Sequence, residues 1–380
     1  MSRKPFHSSL DFVAPAKRNL PKFAFDFIEG GSGDEKAVRH NVESFENLKL
    51  IPHLRSKLGD TSLNSRILGL DYAAPFGVAP LGLCGLINPK ADSILAKVAA
   101  KYNVPYVISA ASNQSIETIV KAAGVPPWFQ LYIPNVKAQL SNLLKKAEAN
   151  ACPVLVVTVD TPVPGRRLRD LKNGLKLPYK LNYANVVEAM KHPLWTVDRL
   201  LAGKIIFPNF DDAVSDNPNL TFRDLVAMQT GGDLNWLVIE KIREIWKAKL
   251  VLKGVLSPAD AVHAQKLGVD AVIISNHGGR QLNAAPAPIN MAPIFLDAGL
   301  KKDFLMLDSG IRSGEDIISS LARGASFSFM GRAFLYALAA NGEKGVENLF
   351  DIIIDELSVN LKLLGLDCPA DVSAKNSFGG

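Results

Sequence analysis

A chain of 380 residues with 48% hydrophobic side chains can bury a large core, which excludes a disordered polypeptide. Its 43 basic and 37 acidic residues leave a formal charge of +6, too modest over this length to point to nucleic acid. Cys84, Cys152 and Cys368 show neither metal-ligand nor disulfide-framework spacing, so no metal is expected and a reducing, cytoplasmic setting is.

Met1 to Leu20 is polar and mixed in charge, without the apolar stretch of a secretory signal. No run approaches the roughly 18 apolar residues of a membrane span. The chain is therefore expected to be soluble or attached to a membrane surface. Residues 1–75 read as an N-terminal helical cap with a short hairpin, Ser62–Leu70, lying under the body of the domain. Strands are then predicted at Phe76–Ala79, Tyr106–Ser109, Trp128–Tyr132 and Val154–Val159. Four more come at Leu250–Lys253, Ala271–Ser275, Phe304–Asp308 and Ser326–Met330. The clearest amphipathic helices between them are Ala91–Lys101, Val136–Asn150, Pro258–Leu267 and Gly314–Arg323. Eight strands separated by helices predict an α/β protein, a (β/α)₈ TIM barrel over residues 76–366. A doubly wound sheet is the alternative, but no GxGxxG follows an early strand. One domain of 1–380 is expected, with a long insertion after strand 4 at 171–230 and a tail at 367–380. Residues 332–366 are helical and close the barrel.

In a barrel, catalytic groups sit where strands end, and here every predicted strand ends in something polar or special. The first ends in Ala79-Pro80-Leu81-Gly82, the second in Ser109-Ala110-Ala111-Ser112, the third in Gln130-Leu131-Tyr132. The fourth gives Thr158-Val159-Asp160 and then Gly165-Arg166-Arg167, the fifth Lys253-Gly254. The sixth ends in Ser275-Asn276-His277-Gly278-Gly279-Arg280-Gln281: a base that titrates near neutrality, and a guanidinium able to clamp a carboxylate. Proton abstraction from a small carboxylate-bearing substrate is the chemistry this order suggests. The seventh gives Asp308-Ser309-Gly310-Ile311-Arg312 and the eighth Gly331-Arg332, where bare backbone and arginines suit a phosphate. Lys253, ending an apolar strand, needs an anionic partner if buried, and a reduced flavin would be one. Ser109, Gln130 and Thr158 are uncharged hydrogen-bonders suited to the rim of a heterocycle.

With Ser-Asn-His-Gly-Gly-Arg-Gln unaltered at 275–281, the chain closely resembles the FMN-dependent L-2-hydroxy acid dehydrogenases and oxidases. That family includes glycolate oxidase, L-lactate dehydrogenase and L-mandelate dehydrogenase. The likeness runs from about Leu20 to Gly365. Ser112-Asn113, Trp128 to Tyr132, His192-Pro193-Leu194-Trp195 and Gly331 to Tyr336 resemble its bacterial respiratory members. The resemblance implies FMN, an L-2-hydroxy acid oxidised to a 2-oxo acid, and a homotetramer. His277 would be the base, supported by Asp160; Arg280 and Arg167 would clamp the carboxylate, and Tyr132 would bond the substrate. Lys253 would face the flavin N1/O2 edge and Ala79, Pro80 and Leu81 would lie near N5. Ser109, Gln130, Thr158 and Ser275 would hold the ring and ribityl chain. Asp308, Gly310, Arg312, Gly331 and Arg332 would hold the ribityl chain and phosphate.

Two pocket positions depart from the pattern. Phe27 stands where the family usually has a tyrosine reaching the substrate carboxylate, which reads as a weaker affinity or as a changed substrate. Ala111 stands where glycolate oxidase has a tryptophan, which leaves room for lactate, mandelate or a longer analogue. Residues 171–207 are basic, apolar and aromatic, the composition of a surface-bound segment. In the respiratory members the matching loop docks on the membrane and quinone takes the electrons. An ordinary lid is the other reading. Peripheral attachment to the cytoplasmic face of the inner membrane is therefore an expectation. An oxygen-using oxidase that releases peroxide, and a non-catalytic flavin-binding scaffold, are the competing functions.

Overall fold

The computed structural model describes residues 5–54, 61–134, 137–174, 183–210 and 234–378. Eight short strands form one parallel sheet: β1 Phe76–Val78, β2 Val107–Ser109, β3 Trp128–Tyr132, β4 Val154–Thr158, β5 Lys249–Val255, β6 Ala271–Ile274, β7 Leu305–Leu307 and β8 Phe327–Met330. Each pairs with its neighbour in sequence, and β8 pairs with β1. A parallel bridge between Val78 and Tyr106 closes the remaining gap between β1 and β2, with Val78 N–H donating to Pro105 O at 2.9 Å. The TIM barrel expected from the strand count is the observed fold.

The two-residue period of a strand sorts the side chains. Val107, Trp128, Val156, Val251, Ile273, Met306 and Phe329 fill the barrel interior. Their neighbours Ile108, Phe129, Leu155, Leu252, Val272, Leu305 and Met330 face the surrounding helices. Those helices fall close to the expected spans: Ala91–Lys101, Lys137–Ala149, Pro258–Lys266 and Gly314–Ala322. Ser257 and Ser313 cap two of them by accepting the N–H of Asp260 and Asp316. The long helix Arg332–Leu363 closes the barrel, interrupted at Asn341 and Gly342.

The hairpin differs from its predicted span. Its arms are Ser65–Ile67 and Leu70–Tyr72, so it runs past Leu70. Asp71 breaks the apolar run because it faces water, whereas Tyr72 turns inward against Trp128 and Phe327 and accepts the Trp128 indole N–H at 2.9 Å. The hairpin thus plugs the floor of the barrel. The N-terminal helices do not lie there: Lys22–Glu29 and Lys36–Glu46 flank the opposite mouth.

Of the insertion, residues 175–182 and 211–233 lie outside the described residues, among them Leu175, Leu177, Tyr179 and Leu181. The described part includes helices Tyr183–Met190 and Pro193–Leu201. The inner face of the second is tied down. Trp195 donates to Leu86 O at 2.9 Å and Arg199 to Gly85 O at 3.1 Å. Its outer face leaves Leu194, Leu200 and Leu201 exposed, and Tyr183 and Met190 of the first helix are exposed too. Among the described residues no helix is long and apolar enough to cross a membrane.

Candidate active site

Continuing the inward parity by one step beyond the apolar layer brings Ser109, Gln130, Thr158, Lys253, Ser275 and Asp308 to the mouth of the barrel. All six are buried polar groups. Ser109 Oγ donates to Gln130 Oε1 at 2.7 Å, and Gln130 Nε2 donates to Thr158 Oγ1 at 2.9 Å. This row crosses the ends of β2, β3 and β4. Across the mouth, Lys253 Nζ lies 2.9 Å from Asp308 Oδ2 and 3.1 Å from Ser275 Oγ. The anionic partner that Lys253 requires is therefore part of the protein. Burial draws the Lys253 pKa down, but Asp308 and Asp160 outweigh that and hold it above its ordinary value.

The β6 ending is a turn of three successive left-handed residues, with φ of 58° at His277, 65° at Gly278 and 75° at Gly279. Glycine is required at the last, where a Cβ would lie 2.6 Å from Val38 N. His277 accepts this strained backbone because its N–H is held by Ser275 Oγ at 3.0 Å and its ring by Asp160, Nδ1 to Oδ1, also at 3.0 Å. Asp160 reaches that position through a bulge in β5. At Gly254, φ 98°, a Cβ would fall 2.5 Å from Asp160 Cγ. Burial raises the Asp160 pKa, but His277 more than offsets this and holds the carboxyl below its usual value, ionised. A carboxylate only accepts, so Nδ1 of His277 carries the hydrogen and Nε2 presents a lone pair. Burial also pulls the His277 pKa below its ordinary value despite Asp160, so the imidazole is neutral at neutral pH.

Two arginines face this histidine's end of the mouth. The Arg280 guanidinium lies over the Phe27 ring, 4.9 Å from its centroid. Its Nη1 donates to Phe27 O and Gly30 O, both at 2.8 Å. Arg167 Nε is buried without a hydrogen-bond partner among the described residues. Burial raises the Tyr132 pKa, keeping its hydroxyl protonated.

The expected phosphate end is more constrained. Arg332 donates to Ile28 O, Gly278 O and Gly30 O at 2.8–2.9 Å, and burial lowers its pKa to about 10. It therefore braces the N-terminal segment against the β6 turn while two N–H groups remain. Arg312 donates to Ile311 O at 2.9 Å. Gly331 opens the helix Arg332–Leu363, so that helix's N-terminal N–H groups face the mouth. A Cβ on Gly331 would lie 3.1 Å from Leu81 and 3.8 Å from the Ala79 Cβ, which brings the β1 ending, with Pro80, beside it. Gly310, φ 97°, packs where a Cβ would lie 2.3 Å from Asn41 O. Ala111 sits across from Gly82, its N–H donating to Ser109 Oγ at 3.1 Å.

Several supporting residues carried no sequence assignment. Gln281 donates to Asp160 O and Val163 O at 2.8 and 2.9 Å and accepts from Gly165 N–H, stitching the β4 and β6 loops together. Asn276 and Asn41 exchange hydrogen bonds at 2.6 and 2.8 Å. The motif contained Gln281 and Asn276, but their partners lie more than a hundred residues away and leave no local pattern.

A buried cation, a row of neutral hydrogen-bonders at ring height, a helix N-terminus behind bare glycine and an unpartnered guanidinium N–H together fit a flavin mononucleotide beside a small anion. The comparisons agree. The model of the FMN-dependent dehydrogenase family matches residues 16–377. An L-lactate dehydrogenase of Xanthobacter autotrophicus is 38% identical over 371 residues, covering 96% of this chain and 95% of its own. One of Pseudomonas aeruginosa is 37% identical over 370 residues, with 97% of each chain covered. Among solved structures, the monotopic membrane protein (S)-mandelate dehydrogenase superposes with a TM-score of 0.93 at 33% identity, over 99% of this chain and 100% of that one. A soluble mutant of the membrane-associated (S)-mandelate dehydrogenase from Pseudomonas putida gives 0.83 at 31%, over the same shares. The chain belongs to the FMN-dependent dehydrogenase family and is an FMN-using flavoprotein oxidoreductase built on a TIM barrel.

Proposed function

We propose that this enzyme oxidises an L-2-hydroxy acid of the lactate or mandelate type to the 2-oxo acid, with His277 as base. The observation that carries this reading is the neutral imidazole bound to Asp160 through Nδ1, whose Nε2 has no hydrogen-bond partner among the described residues and which feels the charge of Arg167. Arg167 and Arg280 clamp the substrate carboxylate, and the free Nε of Arg167 supplies a donor for it. Tyr132, kept protonated, bonds a substrate oxygen. Nε2 of His277 takes the proton, and Asp160 stabilises the imidazolium that forms. Bound FMN supplies the acceptor for the electron pair. Lys253 and Ser275, with Ser109, Gln130, Thr158 and the Ala79–Leu81 backbone, would hold the ring and its ribityl chain. Asp308, Gly310, Arg312, Gly331 and Arg332 would hold the ribityl chain and phosphate end. Phe27 supports the reading of an altered pocket, because its ring is already engaged by Arg280.

Electrons then pass to a quinone or similar carrier at a membrane surface. The exposed apolar residues of 183–201, with Lys191 beside them, support docking there, and the better superposition on the monotopic neighbour supports it further. Co-sedimentation with anionic vesicles, and its loss on replacing Leu194, Leu200 and Leu201 by serine, tests the docking. A homotetramer remains part of the proposal.

Anaerobic bleaching of the flavin across a panel of 2-hydroxy acids tests the reaction. L-lactate, L-mandelate and longer L-acids are expected to bleach it, whereas D-acids are not; Ala111→Trp is expected to restrict the panel to glycolate. Failure of every L-2-hydroxy acid would overturn the assignment. Peroxide formation in air matching dye-linked turnover would favour the oxidase.

Asp160→Asn removes the charge that raises the His277 pKa and offers an amide N–H that can donate to Nδ1, favouring the wrong imidazole tautomer. The bleaching rate is expected to fall by about 10²- to 10⁴-fold. The acid limb of kcat/KM is expected to move to lower pH, because the lost carboxylate is the group opposing burial. A limb that stays in place or moves to higher pH contradicts this pairing.

A further inference from the structure

One buried carboxylate at the site has no role in the chemistry above. Asp170, in the short helix Leu168–Lys172, is 9% exposed, and its Oδ1 has no hydrogen-bond partner among the described residues. Its Oδ2 lies 4.0 Å from Arg280 Nη2, beyond hydrogen-bonding reach. Nearby acids are already matched. Arg169 lies 2.6 Å from Glu35 and 3.5 Å from Asp26, and Asp26 also pairs with Lys22 and accepts from Asn173 at 2.7 Å. Asp170 is thus the carboxylate left to face the two clamp arginines.

A carboxylate that bonds neither guanidinium does not orient them. It acts on them, and on whatever they hold, through its charge alone. We propose that Asp170 is an affinity-setting residue, whose buried negative charge weakens the hold of the Arg167–Arg280 clamp on any carboxylate and so lets the 2-oxo acid product leave. The inference rests on the reading of Arg167 and Arg280 as the carboxylate clamp. The uncompensated alternative leaves two half-buried guanidiniums without a counter-charge, a site that would trap small anions and remain inhibited by its own product. With Asp170 present, the clamp carries one net positive charge, enough for a monoanion to neutralise. The arginines keep their donors free, because Asp170 stands too far away to occupy them.

The test is the dissociation constant of oxalate, an unreactive anion, read from perturbation of the flavin absorbance in the FMN-loaded enzyme. Asp170→Asn is expected to tighten oxalate binding by at least about ten-fold and to lower the KM for L-lactate, with stronger inhibition by its 2-oxo acid. Asp170→Glu keeps the charge and is expected to stay near the parent value. Tighter binding cannot arise from damage to the fold, so the sign separates this role from a structural one. Weaker or unchanged binding in Asp170→Asn overturns the proposal.

A second measurement covers the case in which Asp170→Asn does not fold. With His277→Gln removing the imidazole's own titration, oxalate is expected to bind more tightly as pH is lowered through the range in which Asp170 takes up a proton. The groups facing Asp170 are Arg280, Arg167, Asp26 and Glu35, and burial places its titration above that of an ordinary aspartate. A flat profile overturns the proposal. Arg167→Met and Arg280→Met distinguish the levels: if neither weakens oxalate, the clamp reading itself has failed.

Discussion

His277→Gln is expected to lower the rate of anaerobic flavin bleaching by L-lactate about 10²- to 10⁴-fold while FMN stays bound. Glutamine can donate to Asp160 from its amide nitrogen, as the imidazole Nδ1 does, but has no lone pair basic enough to take a proton. The left-handed turn at 277–279 is carried by two glycines and by Ser275, Asn276 and Ser309, which hold its N–H groups, so it survives the change. Stopped-flow bleaching measures the loss, and the oxidised flavin spectrum with oxalate checks that the clamp still binds. Bleaching at the parent rate would exclude His277 as the base.

Lys253→Met is expected to cost more than chemistry. It leaves Asp308 buried and without its cation, a defect that destabilises by about 3–5 kcal/mol. Denaturant titration of the flavin-free protein measures that loss, and retention of FMN on gel filtration measures the second effect. Because Lys253 titrates above its ordinary value in the folded protein, its stabilisation is complete below the unfolded-state pKa and is lost only as alkaline pH rises through the folded one. The difference between parent and variant should therefore be constant around neutrality and shrink in strong alkali. Adding Asp308→Asn to the variant is expected to recover stability without recovering FMN. If the single variant is as stable as the parent, the ion pair is not what holds β5 to β7.

Much of this was legible before the structure, because local patterns carried it. Short apolar runs ending in polar or glycine residues located all eight strands, and the unaltered run at 275–281 pointed to the family. The inward parity that gathers Ser109, Gln130, Thr158, Lys253, Ser275 and Asp308 was also present in the sequence, two residues beyond each apolar anchor. What stayed hidden was pairing across distance. Nothing local tells that Lys253 is neutralised by Asp308, that Gly254 makes room for Asp160, or that Arg332 braces backbone carbonyls. The hairpin's second arm was cut short because Asp71 interrupts the apolar pattern while Tyr72 carries the packing. Asp170 went unmarked because an aspartate in a basic stretch reads as solvated.

The carbonyls of Phe27, Ile28 and Gly30 are captured by Arg280 and Arg332, so one wall of the mouth comes from residues 27–30 and its fasteners from more than two hundred residues further on. Ile28 and Arg332 are 304 residues apart. During synthesis the early helix emerges with its backbone acceptors unclaimed until residues 280 and 332 have been made. The wall of the coenzyme mouth is therefore fastened only when two distant parts of the polypeptide have both been made.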